Sequence, residues 1–424
     1  MDAAFQSLLN FTFYYPLFMS ILWITASVYY FYYREKEANT QPEHPPELDV
    51  WPGVSFIVPC HNEMENIEET VRSLLAQDYP EFEIIVINDA SSDETGAILD
   101  RLAAAHPQVR VVHFASNQGK AMGLRVGSLT ARHDVLVCLD GDALLTPQST
   151  RWLAHHFALW PRVGAVTGNP RVRNRTTLLG RIQVGEFSSI IGLLKRAQRI
   201  YGRVFTVSGV VAAFRKVAVH QVDYWGLNVM TEDIDISWRL QLNHWDIRYE
   251  PNALCWILMP ETFGGLWRQR LRWAQGGIEV LVNHMRSLFR WRTRRMWLVA
   301  TELVVSTFWA YTMALVFSFW LLGQFVALPA PLDSATILPG WSGLLLGTTC
   351  LLQFAVSLVI DSRYERQLGR VYYWMVWYPM LYWIIQVVTS VTALPRALAR
   401  GSNRRAIWRS PDRGLRDTDT ADGS

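Results

Sequence analysis

The segment Val54-Ser-Phe-Ile-Val-Pro59 is a short apolar run that predicts a buried β-strand. Three further runs of the same kind follow it along the chain, at Glu83–Asn88, Val109–Phe114 and Val135–Leu139. Helical patterns separate the four runs. Strands that alternate with helices in this way predict an α/β fold built on a doubly wound, mostly parallel sheet.

Polar residues follow each of the four predicted strands. In a doubly wound sheet, ligands bind outside the carboxyl ends of the strands. We therefore expect these polar residues to meet at one edge of the sheet and to form a binding site there. They are Glu63, Asp89, Lys120, Asp140 and Asp142.

Asp140-Gly-Asp142 places two carboxylates at the end of the fourth predicted strand. Carboxylates are hard oxygen ligands, which suit Mg²⁺ or Mn²⁺, and a bound diphosphate would supply further oxygens. The alternative interpretation is a solvated acidic turn. The buried strand that precedes the two acids favours the metal site.

Asp89 and Lys120 each allow a structural and a functional interpretation. The segment Asp89–Asp93 can cap the following helix, or Asp89 can recognise a base or a ribose. Lys120 is either a surface lysine or a partner for phosphate oxygens at the start of a helix. The sequence leaves both pairs of alternatives open.

Two motifs further along the chain are candidates for chemistry. In Thr231-Glu-Asp233, either Thr231 caps a helix that begins there, or an acid of the motif is a general base in a cleft. Gln269-Arg-Leu-Arg272-Trp273 lies in an amphipathic helical pattern typical of a helix on a membrane surface. Arg272 can also bind a diphosphate bidentately, and Trp273 can stack on a sugar ring.

Apolar residues are concentrated near the two ends of the chain. Only 18% of the 424 residues are charged, against about 25% in an average soluble domain. This composition excludes a disordered chain and a basic nucleic-acid-binding domain. Each of four nearly uncharged stretches reaches the roughly 20 residues that a membrane-spanning helix needs. They are Phe11–Tyr33, Leu298–Leu328, Ile337–Ile360 and Val371–Leu394.

Basic residues indicate the orientation of these stretches. The first is followed by Arg34 and Lys36, and an arginine-rich segment ending at Arg295 precedes the second, which places residues 34–296 in the cytoplasm. Four crossings would then put the arginine-rich residues 396–424 outside, against the same rule. Either one stretch is re-entrant or doubled, the second and the last being the candidates, or the tail is exported.

The order of these motifs resembles the processive family 2 glycosyltransferases, which polymerise sugars from nucleotide-sugar donors and extrude the chain across a membrane. The resemblance covers most of residues 50–295 and implies a nucleotide-diphospho-sugar transferase fold with an α-helical transmembrane region. Several segments are most similar to the bacterial branch that makes poly-β-1,6-N-acetyl-D-glucosamine in biofilms. They are Gly168–Asn174, Ile182–Gly192, Val207–Gly209, Trp256–Glu261, Arg272–Gly277, Glu365 and Ser410–Gly414.

On the donor side, the resemblance implies that Asp89 contacts the uridine. It also implies that Asp140 and Asp142 hold the diphosphate and a Mg²⁺ or Mn²⁺ ion, mainly through Asp142. The full set of nucleotide-sugar-binding residues that it implies is Pro59, Glu63, Asp89, Lys120, Asp140, Asp142 and Arg272.

On the acceptor side, the resemblance implies that Asp233 is the catalytic base, with Glu232 beside it. The implied acceptor-binding residues are Ser208, Gly209, Gln269, Arg272 and Trp273. Glu302, the one acid in a predicted span core, either snorkels or pairs with Arg295, or contacts the growing polymer or a partner helix.

The activity that the resemblance implies is inverting transfer of N-acetylglucosamine from UDP-N-acetylglucosamine to a β-1,6-linked exopolysaccharide, coupled to export across the bacterial inner membrane. The implied partners are the lipid bilayer, a small two-span membrane subunit and cyclic-di-GMP at the subunit interface. Two alternatives stay open: another processive synthase, of the hyaluronan, cellulose or chitooligosaccharide type, and a non-catalytic nucleotide-sugar-binding membrane scaffold.

The expected domain organisation follows from the motifs and the apolar stretches. Four cysteines without paired spacing predict neither a disulfide framework nor a zinc site. The expected segments are an N-terminal transmembrane helix (1–33), a linker (34–52), a cytoplasmic glycosyltransferase domain (53–265), an amphipathic interfacial segment with the acceptor motif (266–296), a transmembrane region of about three spans (297–395) and a basic polar tail (396–424).

Overall fold

The computed structural model describes residues 2–36, 41–328, 340–365, 368–376 and 378–400. The centre of the molecule is an eight-stranded sheet. Its first four strands are the four predicted ones, within one residue at each end. The strands are β1 (Val54–Cys60), β2 (Phe82–Asn88), β3 (Val109–His113), β4 (Val135–Leu139), β5 (Leu144–Leu145), β6 (Val163–Val172), β7 (Val211–Arg215) and β8 (Asp246–Ile257).

The strand order is β3-β2-β1-β4-β7-β6-β8-β5, and the predicted α/β fold is confirmed. The first four strands are parallel, as is the β6–β8 pair. By contrast, β7 is antiparallel to both of its neighbours and β5 is antiparallel to β8, so the sheet is mixed. The chain between β6 and β7 stays at the carboxyl edge of the sheet, because β7 begins at Val211, which pairs with Leu139 at the end of β4.

Helices cover both faces of the sheet. Along β1, Phe56 and Val58 pack in one core with α2, α3 and α5, whereas Ile57 packs on the opposite face with α4, α8 and α9. The helices of this domain are α2 (Ile67–Leu75), α3 (Thr95–Ala105), α4 (Lys120–Thr130), α5 (Ser149–Leu159), α6 (Leu178–Phe187), α7 (Leu194–Tyr201), α8 (Lys216–Gln221), α9 (Glu232–Leu242) and α10 (Phe263–Leu288).

The four predicted apolar stretches correspond to four helices that are long and apolar enough to cross a membrane. The second stretch is one undivided helix, whereas the last is divided into a short helix and a long one. Residues 329–336, predicted to lie outside, and 401–424, in the basic tail, are not among the described residues. The four long helices are α1 (Asp2–Tyr30), α11 (Trp297–Gly323), α12 (Gly340–Asp361) and α14 (Tyr378–Arg400). The short helix before the last of them is α13 (Gly369–Met375).

The last long helix ends beside the sheet domain. The guanidinium of Arg400 lies 3.2 Å from the carboxylate of Glu279 on α10. The same carboxylate accepts a hydrogen bond from the backbone N–H of Met230, close to the Thr231-Glu-Asp motif. The C-terminal end of α14 therefore lies on the same side as the sheet domain, and the number of crossings stays a prediction.

A buried group of charged residues joins the sheet domain to the long helices, and we call it the junction cluster. Arg196 of α7 lies 2.6 Å from Glu35, at the end of the first apolar segment, and 2.9 Å from Asp361, at the end of α12. Arg171 of β6 lies 2.6 Å from Asp361 and 3.1 Å from Glu365. The members of the cluster are Glu35, Arg171, Arg175, Arg196, Asp361 and Glu365.

Candidate active site

A cavity of about 290 Å³ lies at the carboxyl edge of the sheet, where β4 ends and β7 begins. It is closed on the other sides by the start of α9, by α7 and by α10. Ten of the residues predicted from the sequence line it together: Lys120, Asp140, Asp142, Ser208, Gly209, Glu232, Asp233, Gln269, Arg272 and Trp273.

Lys120 connects the two acidic motifs of the cavity. Its ammonium lies 2.5 Å from Asp140 and 3.1 Å from Glu232, and it donates a hydrogen bond to the carbonyl of Gly209. Burial alone would lower the pKa of Lys120, but the two carboxylates outweigh burial and raise it, so the side chain is a cation. The surface-lysine interpretation is therefore wrong.

Asp142 lies deeper in the cavity and is only 3% exposed. Burial, together with the negative charge of Asp140, raises the pKa of Asp142 to about 7. A side chain at Gly141 would lie 3.1 Å from Cys60 and 3.2 Å from Glu63, so glycine allows the two acids to sit close against the end of β1. The result is a buried carboxyl group whose ionisation is disfavoured by burial and by the neighbouring acid.

Asp233 is the second residue of α9 and faces the turn that precedes β7. A side chain at Gly209 would meet its carboxylate at 3.0 Å. Burial and the negative charge of Glu232 raise the pKa of Asp233 to about 6. Burial opposes ionisation of Glu232 as well, but Lys120 outweighs it and lowers the pKa of that carboxyl. Of these two neighbouring acids, Asp233 is the one whose pKa suits a general base near neutral pH.

Asp89 is buried, and both of its carboxylate oxygens accept backbone N–H groups, from Gln118 at 2.6 Å and from Gly119 at 2.8 Å. Gly119 has a φ of 87°, a conformation that glycine adopts readily. Asp89 thus fixes the loop that starts α4 and places Lys120 in the cavity. Its contact with uridine stays a prediction.

Pro59 and Glu63, like Asp89, are not among the residues that line the cavity. Pro59 lies inside β1, where it packs against α4 at Gly123. Glu63 is 2% exposed and packs beside Gly141. Both residues pack against segments that carry cavity residues, and do not line the cavity themselves. A direct contact with the nucleotide sugar stays a prediction for them as well.

The structure bears on both capping interpretations. Asp93 accepts the backbone N–H of Thr95 at 3.0 Å, but the N-cap position of α3 is Glu94, whose side chain makes no capping hydrogen bond. Thr231 occupies the N-cap position of α9, but its side chain makes no capping hydrogen bond, so that expectation is wrong. Instead Gly276 of α10 packs so closely against Thr231 that any side chain at this glycine would overlap it.

The predicted amphipathic helix is α10, and it presents the acceptor motif to the cavity. Arg272 is exposed at the cavity rim and makes no ion pair within the described part of the chain, whereas Arg270 pairs with Glu186 at 2.8 Å. Trp273 is partly buried, and the guanidinium of Arg270 lies 4.3 Å from the centre of its ring. Arg272 is thus available for a ligand, while Arg270 is held in the structure.

Two residues have contacts that the sequence did not predict. Lys195 of α7 lines the cavity opposite the acidic pair, and no motif in the sequence singles it out. The side chain of Glu302 lies near that of Gln198 of α7. Among the described residues no ion pair joins Glu302 to Arg295, so that expected pairing is wrong. A role for Glu302 toward a polymer stays a prediction.

Comparison with known proteins places this site in a family. The sequence model described as glycosyltransferase-like family 2 matches residues 52–276. Poly-β-1,6-N-acetyl-D-glucosamine synthases of Staphylococcus epidermidis and of Staphylococcus aureus strain COL are each 40% identical to this chain, over 407 and 405 residues, which is 96% of this chain and 98% of theirs.

A solved structure shows the same fold. A mannosyltransferase from Pyrobaculum calidifontis, in complex with GDP-mannose and Mn²⁺, has a TM-score of 0.61 with this chain at 19% identity, covering 92% of this chain and 99% of its own. That likeness concerns the fold alone. The family match over more than half of the chain and the near-full-length relatives show that this chain belongs to glycosyltransferase family 2.

Proposed function

We propose that this enzyme polymerises N-acetylglucosamine from UDP-N-acetylglucosamine into a β-1,6-linked exopolysaccharide of the biofilm type. The observation that carries the proposal is the position of Asp233 beside Gly209, in one cavity with the Asp140–Asp142 pair and the Arg272-Trp273 motif. The near-full-length similarity to the staphylococcal synthases supports the sugar and the linkage.

Asp233 is the proposed general base. With a pKa near 6 its carboxylate is ionised at neutral pH and can take the proton from the attacking sugar hydroxyl. The hydroxyl attacks the anomeric carbon in line as the UDP leaves, which inverts the anomeric configuration. Arg272 at the rim and Lys120 inside the cavity offset the charge that grows on the departing diphosphate.

Asp142 and Asp140 are the residues that would hold a divalent cation, and the site fits one. Asp142 is buried and Asp140 is half-buried, and the negative charge of Asp140 contributes to the raised pKa of Asp142, so a cation would relieve their repulsion. No group of three His, Cys, Asp or Glu side chains in the described ranges could hold a metal by itself. The diphosphate would complete the coordination, and Mg²⁺ or Mn²⁺ would neutralise its charge.

We also propose that the sheet domain lies in the cytoplasm at the bacterial inner membrane, where synthesis is coupled to export of the polymer. The four long apolar helices and the basic residues that flank the first two of them support this orientation. The junction cluster supports coupling, since it holds α7, a wall of the cavity, against the ends of two candidate spans.

We propose further that a small two-span membrane subunit binds this chain and that cyclic-di-GMP binds at their interface. A phosphate-bearing ligand of this kind requires a basic surface beside the membrane. A cavity of about 430 Å³ between the sheet domain and the segment before α11 meets this requirement. Its five arginines suit a phosphate-bearing anion. The lining residues are Arg162, Gly202, Arg203, His244, Asp246, Arg292, Arg294 and Arg295.

Reconstitution of the purified protein in lipid vesicles with one UDP-sugar at a time tests the proposal. We expect polymer from UDP-N-acetylglucosamine alone, with a divalent cation present, and complete digestion of the product by a β-1,6-specific hexosaminidase. Polymer from UDP-glucose, or from UDP-glucuronate together with UDP-N-acetylglucosamine, would identify another processive synthase. Absence of UDP release with every donor would support the non-catalytic scaffold.

A further inference from the structure

Lys195 is a buried cationic side chain that the proposed chemistry does not use. It lies on α7, is 5% exposed and lines the active-site cavity together with Asp233 and Ser208. Burial lowers the pKa of Lys195 to about 7, and the nearby negative charge of Asp233 opposes this effect. A lysine is rarely buried in this way without a partner for its charge.

Lys195 uses only one of its three hydrogen-bond donors within the described residues. Its ammonium donates to the hydroxyl of Thr167 at 2.8 Å, and this is its one hydrogen bond among the described residues. In the same part of the chain no carboxylate lies within 4.0 Å of it, and the ring of Tyr249 is 6.0 Å away. An ammonium group has three donors, so Lys195 can still donate to an oxygen that enters the cavity.

The position of Lys195 assigns that oxygen to the acceptor side of the cavity. The Thr167 hydroxyl that Lys195 contacts also accepts the backbone N–H of Ser208 at 2.8 Å. The next residue, Gly209, faces the carboxylate of Asp233. Lys195 is therefore linked to the proposed base through Thr167, Ser208 and Gly209. Lys120, by contrast, pairs with Asp140.

We infer that Lys195 binds the terminal sugar of the acceptor by donating a hydrogen bond to one of its oxygens, either a ring hydroxyl or the acetamido carbonyl. The inference rests on the proposed function, because it takes the acceptor to be an N-acetylglucosamine polymer. Lys195 thereby becomes a specificity-determining residue that positions the attacking hydroxyl at Asp233.

Primer extension with the full-length protein in vesicles tests this inference. The primers are β-1,6-linked oligomers that end either in N-acetylglucosamine or in glucosamine, which lacks the acetamido carbonyl. We expect Lys195→Met to raise the KM for the acceptor about tenfold or more, as for loss of a hydrogen bond to a charged group. The affinity for UDP should change less than twofold, since the side chain of Lys195 contacts Thr167 on the acceptor side and makes no ion pair with the acidic pair among the described residues.

The two primers separate the possible contacts. A raised KM for the N-acetylglucosamine primer alone assigns the carbonyl, and a raised KM for both primers assigns a hydroxyl. An unchanged KM for both would overturn the inference, while polymer from UDP-N-acetylglucosamine by the unsubstituted enzyme would leave the proposed function standing. Lys216→Met, at a lysine of α8 that donates to the carbonyl of Ala131, is the matched control and should leave both KM values unchanged.

A second variant distinguishes loss of the acceptor contact from loss of the fold. If Lys195→Met loses its melting transition, Lys195→Arg keeps the cation but moves it within the cavity. The inference predicts the same direction of KM shift for this variant, with unfolding at the temperature of the unsubstituted protein. A stable arginine variant with an unchanged acceptor KM would contradict it.

Discussion

The junction cluster and the active-site cavity are both groups of buried charges, but their charges are balanced differently. In the junction cluster three arginines face three carboxylates, and every member is ion-paired. The cavity holds four carboxylates together with Lys120, Lys195 and Arg272, and Lys120 pairs with Asp140 and Glu232. Burial and neighbouring negative charge raise the pKa values of Asp142 and Asp233.

This difference separates a structural role from a chemical one. A buried charge is costly unless it is paired and hydrogen-bonded. Burial alone would lower the pKa of Arg171, but Asp361 and Glu365 outweigh burial and raise it, so the pairing keeps the guanidinium charged. In the cavity, burial and neighbouring negative charge disfavour ionisation of Asp142 and Asp233. In the proposed reaction, a cation at the first acid and the proton of a hydroxyl at the second would relieve this cost.

Removal of Arg196 is expected to reduce stability strongly. Arg196→Met leaves Glu35 buried without its partner and takes one of two arginines from Asp361. Breaking a buried pair costs about 3–5 kcal/mol, which a large drop in melting temperature in detergent would report. Arg72→Met removes an exposed pair with Glu68 and should cost at most about 1 kcal/mol. Equal shifts for the two variants would contradict the structural role of the junction cluster.

Substitution of Asp142 is expected to affect activity without a loss of stability. Asp142→Asn removes one of the crowded carboxylates, so polymer synthesis should fall by about 10²–10³-fold, with a weaker response to added Mg²⁺ or Mn²⁺. The melting temperature of the unliganded protein should not drop, because a repulsion has been removed. Asp100→Asn, at an exposed aspartate, is the control for activity. A melting temperature as low as that of Arg196→Met would contradict the comparison.

The pH dependence of the reaction should follow Asp233. Burial and Glu232 raise its pKa from 3.8 to about 6, and a base must be deprotonated. We therefore expect kcat/KM to fall about tenfold per pH unit below pH 6. The same shift means that the unfolded chain loses this proton first, so the contribution of Asp233 to stability falls as pH rises from about 4 to 6. A profile that is level down to pH 5 would exclude Asp233 as the base.

A smaller effect is expected where the last helix meets the cavity wall. Glu279 accepts the backbone N–H of Met230 at 3.0 Å and pairs with Arg400. Glu279→Gln should weaken this support and lower kcat about two- to tenfold with little change in donor KM. The exchange variant Glu279→Arg with Arg400→Glu should recover part of the loss. If Arg400→Gln alone leaves kcat unchanged, the contact has no part in positioning the motif.

The parts of this molecule that the sequence predicts are those with local signals. The four parallel strands are short apolar runs, and the acids at Asp140 and Asp142 follow one of them directly. The antiparallel β7 has no such signal, because its direction depends on where the chain between β6 and β7 is packed. The junction cluster joins residues far apart in sequence, since Arg196 contacts Glu35 across 161 positions and Asp361 across 165.

The roles of single side chains are also hard to predict from the sequence when they depend on contacts between distant segments. Asp89 follows a strand as predicted, but the structure uses both of its oxygens for the loop before α4. Lys195 stands in the same short helix as Arg196 and Arg199, and its place in the cavity depends on α7 packing against β6. Sequence reasoning identified the acidic motifs because each carries its chemistry within a few residues.

The role of Asp233 as the base is the central claim, and Asp233→Asn tests it. The variant should bind UDP with the affinity of the unsubstituted enzyme and keep its melting temperature, because the proposed diphosphate-binding residues are Asp140, Asp142 and Arg272. Polymer formation from UDP-N-acetylglucosamine in vesicles should fall by at least about 10²-fold. Synthesis within a few fold of the unsubstituted enzyme, with UDP binding intact, would contradict the claim.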